Sequence, residues 1–123
     1  MTASIARCLL LVEDDPLVRE TVAAMLDDEG FEVVEASDAV AALNLVKDGL
    51  DVPLIVTDVD LGGGPNGAEL ADMLRRLRPE LRVIFITGRT SSLADRMPDS
   101  HEAILPKPFA GEALSRLVRR MTK

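Results

Sequence analysis

Cysteine, positive charge and long apolar runs are all scarce in this chain, and each shortage closes off an option. A single cysteine, Cys8, leaves no intramolecular disulfide to form. Set inside an apolar run, it reads as a small core residue of a protein kept in a reducing compartment. The first apolar run, Cys8 to Val12, has only Arg7 as a cation before it. Five residues are too few for a signal peptide's apolar stretch and far too few for a membrane span, so a soluble, cytoplasmic protein with no membrane partner is expected. Lysine and arginine number 14 against 21 acids, a net charge of 14 − 21 = −7. Such a surface repels a nucleic-acid duplex unless it carries a basic stripe. Two candidate stripes exist, Arg75, Arg76, Arg78 and Arg82, and Arg116, Arg119 and Arg120. Both read as solvated helix faces or protein-docking patches, with no direct nucleic-acid partner. Repeats, linkers and low-complexity tracts are missing as well.

What is present is a chain of 123 residues with 47% apolar side chains, enough to bury one core and too short for two. The expectation is one domain spanning 1–123 with no output domain. Short apolar runs alternate with longer stretches whose apolar residues recur at three and four, the βαβα pattern of a parallel sheet. Strands are predicted at Cys8 to Val12, Phe31 to Ala36, Leu54 to Thr57, Val83 to Thr87 and Ala103 to Leu105. The first is apolar throughout, as a central strand would be, whereas Glu32 and Glu35 mark the second as a half-exposed edge. Asp15 and Pro16 start a helix striped by Val18, Val22, Met25 and Leu26 that Gly30 stops. Ser37 is the expected cap of the next, which turns Leu43 and Val46 inward and ends at Gly49. A glycine-rich loop from Gly62 to Gly67 precedes a helix with Leu70, Met73, Leu74 and Leu77 inside and Pro79 beyond it. Between Gly88 and Glu102 only Leu93, Ala94 and Met97 offer an apolar face, and Pro98 limits any helix to about two turns. Leu114, Leu117, Val118 and Met121 stripe the last helix. Right-handed crossovers then favour a doubly wound, flavodoxin-like three-layer α/β sandwich with five parallel strands in the order 2-1-3-4-5.

In that order the carboxyl ends of strands one and three form the ligand edge. Glu13 and Asp14 follow the first apolar run, Asp58 the third, Thr87 the fourth and Lys107-Pro108 the fifth. Three acids, a hydroxyl and an ammonium suit a divalent cation and a phosphoryl group. Magnesium takes about six oxygens, one or two of them carboxylates and the rest waters and phosphate oxygens. Asp14 and Asp58 can bind directly, Glu13 can hold a water ligand, and the backbone carbonyl of Asp60 can add another. Clustered carboxylates repel, so without a cation one of them should hold its proton more readily. With one bound, Asp58 stays ionised as a nucleophile toward phosphorus. Lys107, the Thr87 hydroxyl and the backbone N–H groups of Val59 and Gly88 would stabilise the transferred group. Taken singly these residues have plain roles: Asp14-Asp15-Pro16 as a helix start, Thr87 as a turn, Lys107 as a surface lysine. Their coincidence at four strand ends favours a site.

The set resembles the receiver domain of bacterial two-component response regulators over about Arg7 to Met121. The resemblance rests on Glu13 and Asp14, the lone Asp58, Gly67, Thr87 and Lys107-Pro108-Phe109. It implies phosphoprotein signalling. Asp58 would accept phosphate from a sensor histidine kinase or histidine phosphotransfer protein in a reaction dependent on Mg2+, or Mn2+, and then lose it by self-catalysed hydrolysis. The protein would thus be a phosphoacceptor regulator rather than an enzyme, acting on a protein target by docking. The resemblance also implies a cis Lys107-Pro108 bond and phosphate sensing by Thr87 and Lys107. Asp60 and Arg89, two residues past Asp58 and Thr87, would tune phosphate lifetime. Three departures stand out: Gly62 replaces the usual Pro, Gly67 lies nine rather than eight residues past Asp58, and Ile104 replaces the switch aromatic. Phe85-Ile86-Thr87-Gly88 is similar to a single-domain subgroup lacking that aromatic, although Thr90 stands where the subgroup has Tyr.

Other readings fit less well. Asp58-Val59-Asp60 is the acid-x-acid of haloacid-dehalogenase-type phosphatases, but those carry it on the first strand with an acid pair late in the chain. A Toprim-like nuclease would have Gly after its first-strand Glu and leaves Lys107-Pro108 without a role. An unphosphorylated interaction module would not need all the ligands. His101 is the one histidine and lies in the weakly patterned segment, so it is not read as a phosphate donor.

Overall fold

The computed structural model describes residues 8–88 and 100–122. Five strands, β1 (Cys8–Val12), β2 (Glu32–Ala36), β3 (Leu54–Asp58), β4 (Arg82–Thr87) and β5 (Glu102–Pro106), form one parallel sheet in the order β2-β1-β3-β4-β5. Four helices are described: α1 (Pro16–Asp28), α2 (Ala39–Lys47), α3 (Gly67–Leu77) and α4 (Gly111–Met121). The doubly wound three-layer architecture expected from the alternation is the one observed. The short helix expected between Gly88 and Glu102 falls on 89–99, outside the described residues.

Because successive strand residues face opposite ways, each central strand feeds two cores. Leu9, Leu11, Leu54, Val56, Ile84 and Ile86 pack with Val22 and Leu26 of α1 and with Leu114, Val118 and Met121 of α4. Leu10, Val12, Ile55, Val83 and Phe85 pack with Ala39, Ala42 and Val46 of α2 and with Leu70, Ala71 and Leu74 of α3. Continuous apolar runs read as central strands for this reason; the edge strand β2 leaves Glu32 and Glu35 exposed.

Local signals set most helix boundaries. Asp15 accepts from the N–H groups of Leu17 and Val18, and Pro16 lies in the first turn, where its missing donor costs nothing. Asn66 and Glu69 cap α3 reciprocally, the Asn66 side chain accepting from Glu69 N and the Glu69 side chain from Asn66 N. Three details differ from the sequence pattern. Asp38 rather than Ser37 caps α2, accepting from Ala41 N at 2.7 Å, and Ala39 and Ala42 are buried with Val46 while Leu43 packs half-buried against the same core. Along α3 Met73 is only half-buried and Leu77 is exposed, whereas Leu70 and Leu74 are fully buried. The basic stripe is also dispersed: Arg75 pairs with Glu102 at 2.9 Å and Arg82 donates to the carbonyl of Met121 at 2.6 Å. Two of its four members therefore join elements together instead of forming a common surface.

Candidate functional site

Strand register brings the polar ends together. β1 and β3 align through Val12 with Thr57, β3 and β4 through Asp58 with Ile86, and β4 and β5 through Thr87 with Pro106. Counting by twos, Glu13 follows Leu11, Asp58 follows Val56 and Lys107 follows Leu105, all on the α1/α4 face; Thr87 follows Phe85 on the α2/α3 face. Glu13, Asp58 and Thr87 are all buried, Thr87 completely.

The contacts are specific. The Lys107 ammonium donates to Asp58 Oδ2 at 2.8 Å and lies 3.6 Å from Glu13 Oε1. Asp58 Oδ1 accepts from the backbone N–H of Asp60 at 3.0 Å, so both carboxylate oxygens are engaged. Glu13 Oε2 accepts from Asp15 N at 3.2 Å. Asp14 is exposed, its carboxylate beside the loop at Gly62. Lys107 is fixed through its own backbone, Lys107 N donating to Thr87 O at 2.9 Å, and the Lys107-Pro108 peptide is cis.

Two glycines shape the rim. A Cβ on Gly67 would collide with the Asp58 carbonyl, and Gly67 N donates to Val59 O at 2.8 Å, so only glycine lets α3 start this close to the end of β3. Gly62, at φ 74°, takes a left-handed turn beside the Asp14 carboxylate.

Three carboxylates face one ammonium, and in this buried cluster the Glu13 pKa is raised from 4.5 to about 7. Burial is the main cause; Asp14 and Asp58 add to it, while the Asp15 N–H and Lys107 oppose it. Burial on its own would lower the Lys107 pKa, but Asp58 and Glu13 outweigh it and the net shift is upward. Hard oxygen donors with surplus negative charge fit magnesium. Among the described residues no three His, Cys, Asp or Glu side chains enclose an ion-sized point, so waters and phosphate oxygens would have to complete the coordination.

Of the residues expected at this site, Glu13, Asp14, Asp58 and Lys107 meet, with Asp60 touching through its backbone. Thr87 borders the group from the other face of the sheet. The Val59 N–H, expected to face a phosphoryl group, instead donates to Ile86 O at 3.3 Å. Ile104 is half-buried against the α2/α3 core, and Arg89 lies outside the described residues. Beside the site a cavity of about 490 Å³ opens between α1 and the start of α4, lined by Val18, Val22, Met25, Ile86 and Phe109. Arg19 was not anticipated: its Nη1 donates to the carbonyl of Glu13 at 2.8 Å, a contact no local motif announces. Among the described residues no helix is long and apolar enough to cross a membrane.

The family model for the response regulator receiver domain matches residues 9–119. The sensor kinase CckA of Brucella abortus is 34% identical over 116 residues, covering 92% of this chain and 12% of the kinase. The chain spans half or less of other regulators it matches. A response regulator receiver protein from Sinorhizobium medicae superposes with a TM-score of 0.86 at 26% identity, covering 94% of this chain and 93% of that one. The receiver domain of NtrX from Brucella abortus gives a TM-score of 0.83 at 30% identity, covering 93% and 97%.

Proposed function

The chain belongs to the response regulator receiver domain family of two-component signalling, and on that premise we propose that it takes up a phosphoryl group on the carboxylate of Asp58. The observation that carries this reading is the Lys107 ammonium at 2.8 Å from Asp58 Oδ2 and 3.6 Å from Glu13 Oε1. A lysine fixed beside one acid could be a structural pair. Here it is shared between a nucleophile candidate and a second buried acid, at the strand ends where this topology collects ligands.

The donor is a phosphohistidine of a sensor kinase or of a phosphotransfer protein. An Asp58 oxygen attacks phosphorus, the bond from phosphorus to the imidazole nitrogen breaks, and its electron pair returns to the ring. Glu13 and Asp14, with Asp58 and the Asp60 carbonyl, would hold Mg2+, or Mn2+ in its place. When bound, the ion supplies Lewis-acid stabilisation of the phosphoryl oxygens and neutralises the clustered carboxylates. Lys107 stabilises charge on the group as it transfers and Thr87 supplies a hydroxyl to the product. Hydrolysis then returns Asp58 and inorganic phosphate, and Asp60 and Arg89 tune how fast it does so. Ile104 cannot act as a rotating aromatic, so the phosphorylated state is read through another element, by docking to a protein target. The protein's work is regulation by a covalent mark, carried out in the cytoplasm without membrane or nucleic-acid contact.

Intact-mass spectrometry after incubation with acetyl phosphate tests this. Wild type should gain one phosphoryl adduct only with Mg2+, and Asp58→Asn none. An adduct that persists in Asp58→Asn would overturn the assignment, and multiple turnover of a generic phosphate ester would point to a phosphatase.

A further inference from the structure

We propose that Arg19 is a positioning residue for the acidic loop, holding Glu13 and Asp14 in place for cation binding; this rests on the phosphoacceptor reading of the site. Glu13 stands one residue beyond the last residue of β1, where regular ladder bonding ends. Its backbone is nevertheless fastened on both sides. The N–H donates to Ala36 O at 3.1 Å, and the carbonyl accepts from Arg19 Nη1 at 2.8 Å.

Arg19 is itself well anchored. Its N–H donates to Asp15 O at 2.9 Å within the first turn of α1. From there the side chain runs back toward the helix start, as helical side chains do. The guanidinium serves two contacts at once, because Nε also lies 3.4 Å from Glu35 Oε1 on the edge strand β2. One planar fork thereby joins α1, the end of β1 and the end of β2 around the residue that precedes Asp14. A lysine at this position could meet one of those partners but not hold both in a fixed geometry. Glu35, read from the sequence as an exposed edge residue, is in this arrangement the outer anchor of the fork.

Two effects of Arg19 on a cation have opposite signs, and this makes the proposal testable. A positive charge near a cation site weakens binding, so removing it should tighten the site if charge alone mattered. Positioning predicts the reverse, since partners that orient metal ligands typically contribute 10- to 100-fold in affinity. The chain has no Trp or Tyr to report binding by fluorescence. Magnesium chloride is therefore titrated into 15N-labelled protein and followed at the backbone amides of Asp14, Asp58 and Asp60, with urea melts of the metal-free proteins alongside.

Arg19→Ala should raise the Mg2+ Kd about tenfold, with Arg19→Lys between it and wild type and Glu35→Gln shifted the same way to a smaller extent. A folded Arg19→Ala with unchanged or tighter Kd overturns the proposal. Should Arg19→Ala not fold, Arg19→Lys decides, and a wild-type Kd there overturns it equally. Wild type that takes up phosphate on Asp58 while Arg19→Ala binds Mg2+ normally removes only the role of Arg19. Wild type with neither Mg2+ affinity nor adduct removes the phosphoacceptor reading and this proposal together.

Discussion

The two ends of β5 carry buried charge in opposite ways. At its start, the buried Glu102 side chain accepts from Arg75 at 2.9 Å, an ion pair that ties β5 to α3. Just past its end, Lys107 is shared by Asp58 and Glu13, with Asp14 beyond, so negative charge is in surplus. The Arg75 contact sets opposite charges against each other between two elements. In the unbalanced cluster burial, helped by Asp14 and Asp58, pushes the Glu13 carboxyl up to about 7, and an added cation would relieve the surplus charge. The first arrangement joins elements, and the second is poised for chemistry.

Substitution at each end separates these roles. The largest effect belongs to Lys107→Ala, which should slow phosphorylation by acetyl phosphate about 100-fold, the usual loss when one donor to a developing charge is removed; a rate within threefold of wild type would place Lys107 with Arg75 as a structural partner. Arg75→Ala should cost about 2 kcal/mol in urea melts by removing the ion pair to buried Glu102, discounted because Arg75 is partly exposed, while phosphorylation stays unchanged. The paired change Arg75→Met with Glu102→Leu should recover most of that loss, since an apolar pair of similar volume can replace a buried ion pair. A double variant as unstable as the single one would break the comparison.

The smallest effect is in pH dependence. Glu13 binds its proton more tightly folded than unfolded, so metal-free stability should fall as pH rises from about 4.5 to about 7 and then level off. The change should be on the order of 1 to 2 kcal/mol, below the full value of such a shift because the neighbouring carboxylates share the proton. The Lys107 pKa is also raised, by Asp58 and Glu13 against burial, but its contribution is lost only in the alkaline range, so the two do not overlap. Mg2+ should flatten the decline in wild type, and Glu13→Gln should abolish it. A slope that survives Glu13→Gln would assign the titration to another group.

The residues at strand ends were legible because each lies directly after an apolar run, and parallel strands in this order bring those positions to one edge. Asp15 was legible as a cap for a similarly local reason. Ser37 was not distinguishable from Asp38 by type, since both suit a cap; where α2 docks, with Ala39 and Ala42 against the sheet, selects the second. Leu77 continued the apolar period of α3 but is exposed, which periodicity does not measure. Arg75 and Arg82 read as part of a basic face and instead bond to partners 27 and 39 residues away. The Val59 N–H was expected at a phosphoryl group and is engaged with Ile86 O, a consequence of the β3/β4 register.

Residue order alone determined the alternation of elements, the two-sided core and the chemical types at the carboxyl edge, because those depend on patterns within a few residues. Tertiary structure decided which charges neutralise one another. Glu102 with Arg75, Glu13 with Lys107 and Arg19 with the Glu13 carbonyl are set by distances between separate elements. Charge interactions depend on those distances and on burial, and neither is written in local sequence.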